Sequence, residues 1–391
     1  MTKERNKRRK KEGKIRSVPS RSSTGQLIFS FMILFTLALI IRNSDIAIKY
    51  ASEGLSLCFK SVIPALFPFM VLSDITVSSG ATSIISRLLQ KPMRFLFGVS
   101  GQGACSVILG MLCGFPVGAR SALSVYDSGG ISKSELERLL CFCNSPSSAF
   151  LISAVGVSLF GSQKYGVALY AITVISSVVT GIIGNLEFAS KLRKRRQLST
   201  QSSKYEDISS LSMGNFTTSD FTEAVSASAL SMLKISAFVV FFTVFTGTLS
   251  SVLSPLSLSP TLNAFLFGFF ELSSGVARSS SVSPTELGAI LAAFCAGWSG
   301  ISVHFQIMSI CAGRNISFKP YFKAKFFQGL LCALMMKLYL DFFAKGISFN
   351  VRPTALFLSK NSFGRFDILS CGCFLIALFV TVAKFRRNHR K

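Results

Sequence analysis

Apolar residues in this chain are gathered into long blocks separated by short polar stretches. A soluble helix breaks its apolar run every few residues with a polar face. A helix that crosses a hydrocarbon layer about 30 Å thick needs roughly 20 apolar residues in succession. Blocks of the second kind fall near 27–41, 55–80, 95–112, 134–160 and 165–188, and again near 228–254, 261–277, 285–312, 321–344 and 366–383. The pattern predicts an all-α polytopic membrane protein. The first block follows a basic start, as a signal sequence does. Arg42, Asn43, Ser44 and Asp45 come next in place of a small-x-small cleavage site, so the block reads as an uncleaved first helix.

The two halves share an order of features. Gly110 to Arg120 and Gly268 to Arg278 each run from a Gly through nine residues to an Arg preceded by Ala. Each is followed by a Ser-x-x-Glu pattern, Ser132 to Glu135 and Ser283 to Glu286. That spacing predicts a capping box, with Pro284 at the first helical position. Each predicted helix then meets a helix-weakening patch, Asn144-Ser145-Pro146-Ser147-Ser148 in one half and Gly297-Trp298-Ser299-Gly300 with Ser302 in the other. The same three features in the same order predict an internal repeat.

Charge then orients the blocks. The chain carries 42 Lys and Arg against 17 Asp and Glu, a net charge of +25 with a mean hydropathy of +0.52. The basic residues cluster beside the blocks: ten in the first 21 residues, Lys191 and Arg193 to Arg196 after 165–188, and Lys384 to Lys391 at the end. Basic flanks stay on the cytoplasmic side and meet anionic lipid there, so this distribution reads as topology and argues against nucleic acid as a partner. Placing all these flanks inside requires the segments 95–125 and 261–277 to be re-entrant. The prediction is then about eight transmembrane helices plus two re-entrant segments in two inverted repeats, an architecture of secondary transporters. The expected divisions are a basic tail at 1–25, a first helix at 26–44, a first repeat at 45–189, a basic Ser-rich linker at 190–225, a second repeat at 226–345, an outer loop at 346–365, and a last helix with its basic tail at 366–391.

The breaks are the candidate chemistry. Gly114, Pro116 and Gly118 interrupt an apolar block just before Arg120. Backbone without its helical hydrogen bonds survives at membrane depth only where protein buries it or a wet cavity lines it. Arg120 and nearby N–H groups are thus candidates to bind an anion; the alternative is an arginine snorkelling at the interface. Asn144, Ser145, Pro146, Ser147 and Ser148 offer an amide, three hydroxyls and the start of a half-helix, which favours anions. The alternative there is a kink whose serines bond back to the backbone. Gly297, Trp298, Ser299 and Gly300 form the corresponding patch, with Trp298 alternatively an interfacial anchor. His304 is a candidate proton shuttle, and Glu271 a candidate coupling residue or partner of Arg278. The ten cysteines include no Cys-x-x-Cys pair and read as small packing residues. No metal site and no cofactor is expected. With two histidines and no HExxH, GxSxG, P-loop or GxGxxG pattern, neither is an enzyme.

The run Cys113-Gly-Phe-Pro-Val-Gly-Ala-Arg120, then Gly130 to Glu135, Cys143-Asn-Ser-Pro146 and the earlier Pro64 to Phe69, resembles the YlbJ family of sporulation integral membrane proteins. That family falls within the wider nucleoside-recognition, or Gate, superfamily. The resemblance covers roughly residues 45–345 and is most specific in the first half. It implies a role in endospore formation at the outer forespore membrane, and movement of dipicolinate, a small aromatic dicarboxylate. The rival reading is a non-transporting membrane scaffold needed for spore cortex assembly. Expected partners are the lipid bilayer, with anionic lipid at the basic flanks, and a small anionic solute; a homo-oligomer is compatible with the pattern.

Overall fold

A computed structural model describes residues 24–80, 82–198 and 217–343. The expected basic tail, the middle of the linker, the outer loop and the last helix lie outside these residues. Every regular element among the described residues is helical. The chain opens with α1 (Thr24–Arg42), α2 (Ser44–Leu57), a π-helical stretch at Cys58–Val62 and α3 (Ile63–Ser78). It continues with α4 (Thr82–Pro92), α5 (Ala104–Leu112), α6 (Val117–Asp127) and α7 (Lys133–Leu140). Further π-helical stretches lie at Met93–Phe97 and at Phe150–Leu159, the latter leading to α8 (Gln163–Leu198). The second half holds α9 (Thr218–Leu253), α10 (Pro260–Phe270), α11 (Leu272–Ser279), α12 (Thr285–Trp298), α13 (Gly300–Ile310) and α14 (Lys319–Phe343).

Four helical runs among the described residues are long and apolar enough to cross a membrane: Gln163–Phe188, Thr218–Leu256, Thr285–Ile310 and Lys319–Phe343. The pair Leu66–Ser78 and Thr82–Phe97, bent by 85°, makes a fifth if taken as one span. Their outer faces carry large apolar side chains in the open, among them Leu88, Phe95, Leu233, Leu334 and Phe342, and so do the segments ahead of them at Phe31 and Phe59. Apolar area on this scale is left uncovered only where lipid covers it. The protein is an all-α polytopic membrane protein.

The block 134–160 departs from expectation. It is not one crossing helix: α7 stops at Leu140, residues 144–147 are not helical, and the chain re-enters helix only at Ser148. Pro146 supplies no N–H and disfavours helical geometry in the residue before it, so the run cannot pass through this point.

The segments expected to be re-entrant are helical hairpins. In the first, α5 and α6 cross with the Cα of Gly118 beside that of Gly110, and the carbonyl of Cys143 is wedged against both. In the second, α10 and α11 cross at Gly268 and Gly275, with the Cys295 thiol against both. Each half thus folds a hairpin on a glycine pair and inserts the following helix's end into the crossing.

The capping boxes divide. Ser132 and Glu135 form one, with Glu135 N donating to Ser132 Oγ at 3.3 Å and Ser132 N to Glu135 Oε2 at 2.9 Å. The Ser283 box is not formed. Pro284 is extended (ψ 153°), so α12 begins at Thr285 and no side chain caps it. Pro284 is therefore the residue before the helix rather than its first, and Ser283 sits one position too early to reach the first-turn amides.

Candidate substrate site

The hairpin tip and the Asn144 break are built on each other. Phe115 N donates to Ser145 O at 2.9 Å, and Gly114 lies against Ser147. Pro116 is the residue from which α6 departs, and Arg120 N returns a hydrogen bond to its carbonyl at 2.9 Å. Ser147 Oγ accepts from Phe150 N at 3.3 Å and so caps the second half-helix. Pro146 is buried and Ser148 half-buried. The sequence patches 114–118 and 144–148 thus form one structural unit.

Arg120 leaves that unit. Its guanidinium turns to Asp74 on α3, with Nη2 at 2.9 Å and Nε at 3.2 Å from Oδ2. Asp74 also accepts from Ser124 Oγ at 3.1 Å and from Ser228 Oγ of α9 at 3.3 Å. The carboxylate side chain is 7% exposed and the arginine 18%. The positive charge proposed for an anion is already matched by an aspartate.

The corresponding arginine, Arg278, does not pair with Glu271. It donates through Nε to Asn263 Oδ1 and through Nη2 to Ser250 Oγ, both at 2.8 Å, and lies over the Phe267 ring. Glu271 is the N-cap of α11, accepting from Ser273 N at 3.0 Å and Ser274 N at 2.6 Å. A carboxylate held by amides at a positive helix end has its hydrogen bonds already made. Ser228 and Ser250 are both on α9, and at about 1.5 Å per residue some 33 Å of axis separates them. The two hairpin arginines therefore dock at opposite ends of one membrane-length helix.

The cation that does meet the Asn144 break is Lys325 of α14. It is fully buried, and Nζ donates to Asn144 O and to Gln328 Oε1, each at 2.7 Å. Gln328 Nε2 donates to Ser177 Oγ at 3.0 Å. Ser177 donates to Phe142 O at 2.9 Å, which leaves Ser145 as donor in the 2.9 Å Ser145–Ser177 contact. Lys325 follows Lys319 and Lys323 as a basic flank would, yet the structure places it in the interior. No carboxylate pairs with it among the described residues. A buried cation held only by neutral oxygens carries a large desolvation cost that an arriving anion offsets.

The second break meets the same helix from the other side. Gly297 packs on the backbone of Gln328 and Gly329. Ser299 and Gly300 turn the chain with φ of 73° and 81°, and Gly300 comes within van der Waals contact of the α10–α11 junction. Trp298 is buried rather than interfacial: its Nε1 donates to Phe269 O at 3.0 Å and its ring stacks on Phe269. Its edge also meets the His304 ring, 4.4 Å between centroids. His304 Nδ1 is 2.8 Å from Tyr321 OH, one turn before Lys325 on α14. Both patches are thus joined through α14 rather than facing each other directly. Two buried polar atoms here, Asn144 Oδ1 and His304 Nε2, have no hydrogen-bond partner among the described residues.

The chain is 28% identical over 348 residues to the sporulation integral membrane protein YlbJ of Bacillus subtilis (strain 168), covering 81% of this chain and 83% of that one. That likeness runs through most of both chains, and what the chain is similar to is a sporulation integral membrane protein. No family profile matches it, and no solved structure does.

Two residues of this site were not singled out by the sequence. Asp74 carried a signal: it is the only acid in the block 55–80, and an intramembrane acid implies a partner. Lys325 carried none, because it follows Lys319 and Lys323 at a helix start and reads as part of a basic flank. A third link joins the halves at one end of the bundle. Arg314 makes a two-point bond to Asp127, Nε–Oδ1 3.0 Å and Nη2–Oδ2 2.7 Å, and Ser317 N donates to Glu137 Oε1 at 2.9 Å. The hydrogen bonds that Arg314 donates to Asp127 raise its affinity for its proton.

Proposed function

We propose that this sporulation membrane protein moves a small organic anion, with dipicolinate as the candidate, across the outer forespore membrane. The observation that carries this reading is Lys325, a fully buried ammonium with no carboxylate partner among the described residues, bonded to the carbonyl of a broken helix. Asn144, Ser145, Ser177 and Gln328 supply neutral hydrogen-bonding groups around it. Substrate would enter from the side of the half-helix that begins at Ser148, whose positive end favours a carboxylate. The hairpin and broken helix of each half would rock about α14 to open the site to either face. Arg120 serves in this reading as an anchor to α3 and α9 rather than as a substrate ligand.

The test is uptake of labelled dipicolinate into proteoliposomes by the wild-type protein and by Lys325→Met, which keeps length while removing charge. Saturable uptake in the wild type and its loss in the variant are expected. No uptake by well-folded wild-type protein, under proton and sodium gradients of either sign, overturns the reading and favours the scaffold.

A further inference from the structure

We infer that the protein takes up one proton with each dicarboxylate, and that His304 Nε2 is the atom that receives it. The inference rests on the function proposed above and adds the coupling ion to it. His304 is fully buried, and its Nδ1 is engaged by Tyr321 OH at 2.8 Å. Its Nε2 is buried without a partner among the described residues; in the tautomer whose Nδ1–H donates to Tyr321 OH, Nε2 carries the lone pair and is the nitrogen that gains a proton. Lys325 stands one helical turn beyond Tyr321, on the same face of α14.

The charged surroundings of His304 are one-sided. From α14 it meets the Tyr321 and Phe322 rings, with Lys325 one turn further along, and from α12 it meets the Trp298 ring. The thiols of Cys141, Cys143 and Cys311 lie around Tyr321. Of the other elements packed on α13, α6 brings Arg120 and Asp127, each already ion-paired. The α10–α11 junction brings Glu271, committed to two amides, and α11 brings Arg278, committed to Asn263 and Ser250. Tyr126 on α6 is half-buried, and α9 presents Phe238 and Phe242 to Phe305 while its Lys234 and Glu223 are exposed. Lys325 is thus the charge near the imidazole that no carboxylate pairs with among the described residues.

A dicarboxylate bound at Lys325 supplies that pairing. One carboxylate neutralises the ammonium. A second carboxylate on the same small ring adds an uncompensated negative charge to a dry site, and the neutral imidazole becomes the group that answers it. The step is H⁺ from the open face plus His304 Nε2 giving an imidazolium, whose charge together with that of Lys325 matches two carboxylates. Release on the far side returns the proton with the substrate. A monocarboxylate is matched by Lys325 alone and draws no proton. By linkage, dicarboxylate affinity rises as pH falls through the proton affinity of the occupied site, and monocarboxylate affinity does not.

The experiment is calorimetric titration of purified protein with dipicolinate and with picolinate, in buffers of different ionisation enthalpy. The wild type is expected to take up about one proton per dipicolinate and none per picolinate near neutral pH. His304→Gln is expected to lose the uptake and to bind dipicolinate no better than picolinate. The ligand comparison in the wild type decides the matter even if that variant misfolds. Binding of dipicolinate without proton uptake overturns the coupling and leaves the transport reading standing. Proton uptake that survives in His304→Gln overturns the assignment to His304. Absence of saturable binding overturns both readings together.

Discussion

Lys325 Nζ lies 2.7 Å from the carbonyl oxygen of Asn144. The carbonyl belongs to a stretch that Pro146 keeps out of helix, so it has no amide of its own, and the ammonium sits too deep for water to solvate it. Each group answers the other's need: an orphan acceptor at membrane depth and a buried donor. The pair ties α14 of the second half to the broken helix of the first. Any movement of one half against the other that separates them uncovers a charge.

Replacing Lys325 by Met is expected to weaken anion binding by about 10- to 100-fold, since hydrogen bonds to charged groups are worth about 1.5–3 kcal/mol. Asn144 O and Gln328 Oε1 would each lose a donor, so Lys325→Gln serves as the variant that restores one. Binding titration in detergent separates the two effects: both variants lose affinity if the charge matters, and only Met loses thermal stability if the hydrogen bonds alone do.

Asp74 and Arg120 form a partly buried pair whose members should fail alone. Asp74→Ala and Arg120→Ala are each expected to lower stability by about 3–5 kcal/mol, because each leaves the other's charge unmatched. The double variant should be less impaired than the sum of the singles. Thermal unfolding followed by fluorescence-detected gel filtration reads this cycle. Additive losses would show that the two side chains do not act as a pair.

The parts of the site legible in the sequence are those written in backbone chemistry. Pro116, Pro146 and the Gly297–Gly300 run interrupt apolar blocks, and the structure breaks at each of them because proline lacks a donor and glycine tolerates positive φ. What was not legible depends on which side chain meets which. Arg120 reads as a free charge until α3 brings Asp74 to it. Glu271 reads as a partner for Arg278 until the junction between α10 and α11 makes it a cap. Lys325 reads as a flank because spacing along a chain does not say which turn of a helix points inward.

Glycines at the hairpin crossings should be intolerant of any side chain. A Cβ on Gly118 would run into the carbonyl oxygen of Cys143, which is backbone and cannot rotate away. Gly118→Ala is expected to cost about 1–3 kcal/mol or to prevent accumulation in the membrane. Gly184→Ala is the control, because nothing lies within 4 Å of a Cβ there. It should be neutral or stabilising by up to about 1 kcal/mol, since alanine favours helix over glycine. Equal tolerance at both sites in a membrane-expression assay would contradict the packed crossing.

The two Ser-x-x-Glu patterns, alike in sequence, are expected to behave differently when the serine is removed. Ser132 caps α7, and Glu135 ties that cap to the chain ahead of α5 by accepting from Ser100 N at 2.7 Å. Ser132→Ala should therefore lower the unfolding free energy by about 1 kcal/mol, the usual worth of an N-cap hydroxyl. Glu135→Gln should cost more, because the carboxylate serves three donors at once, Ser100 N, Ser132 N and Ser132 Oγ. Ser283→Ala should change little, since the extended Pro284 stands between it and the helix. A matched loss at Ser132 and Ser283 in thermal unfolding would mean that α12 starts a residue earlier than the structure has it.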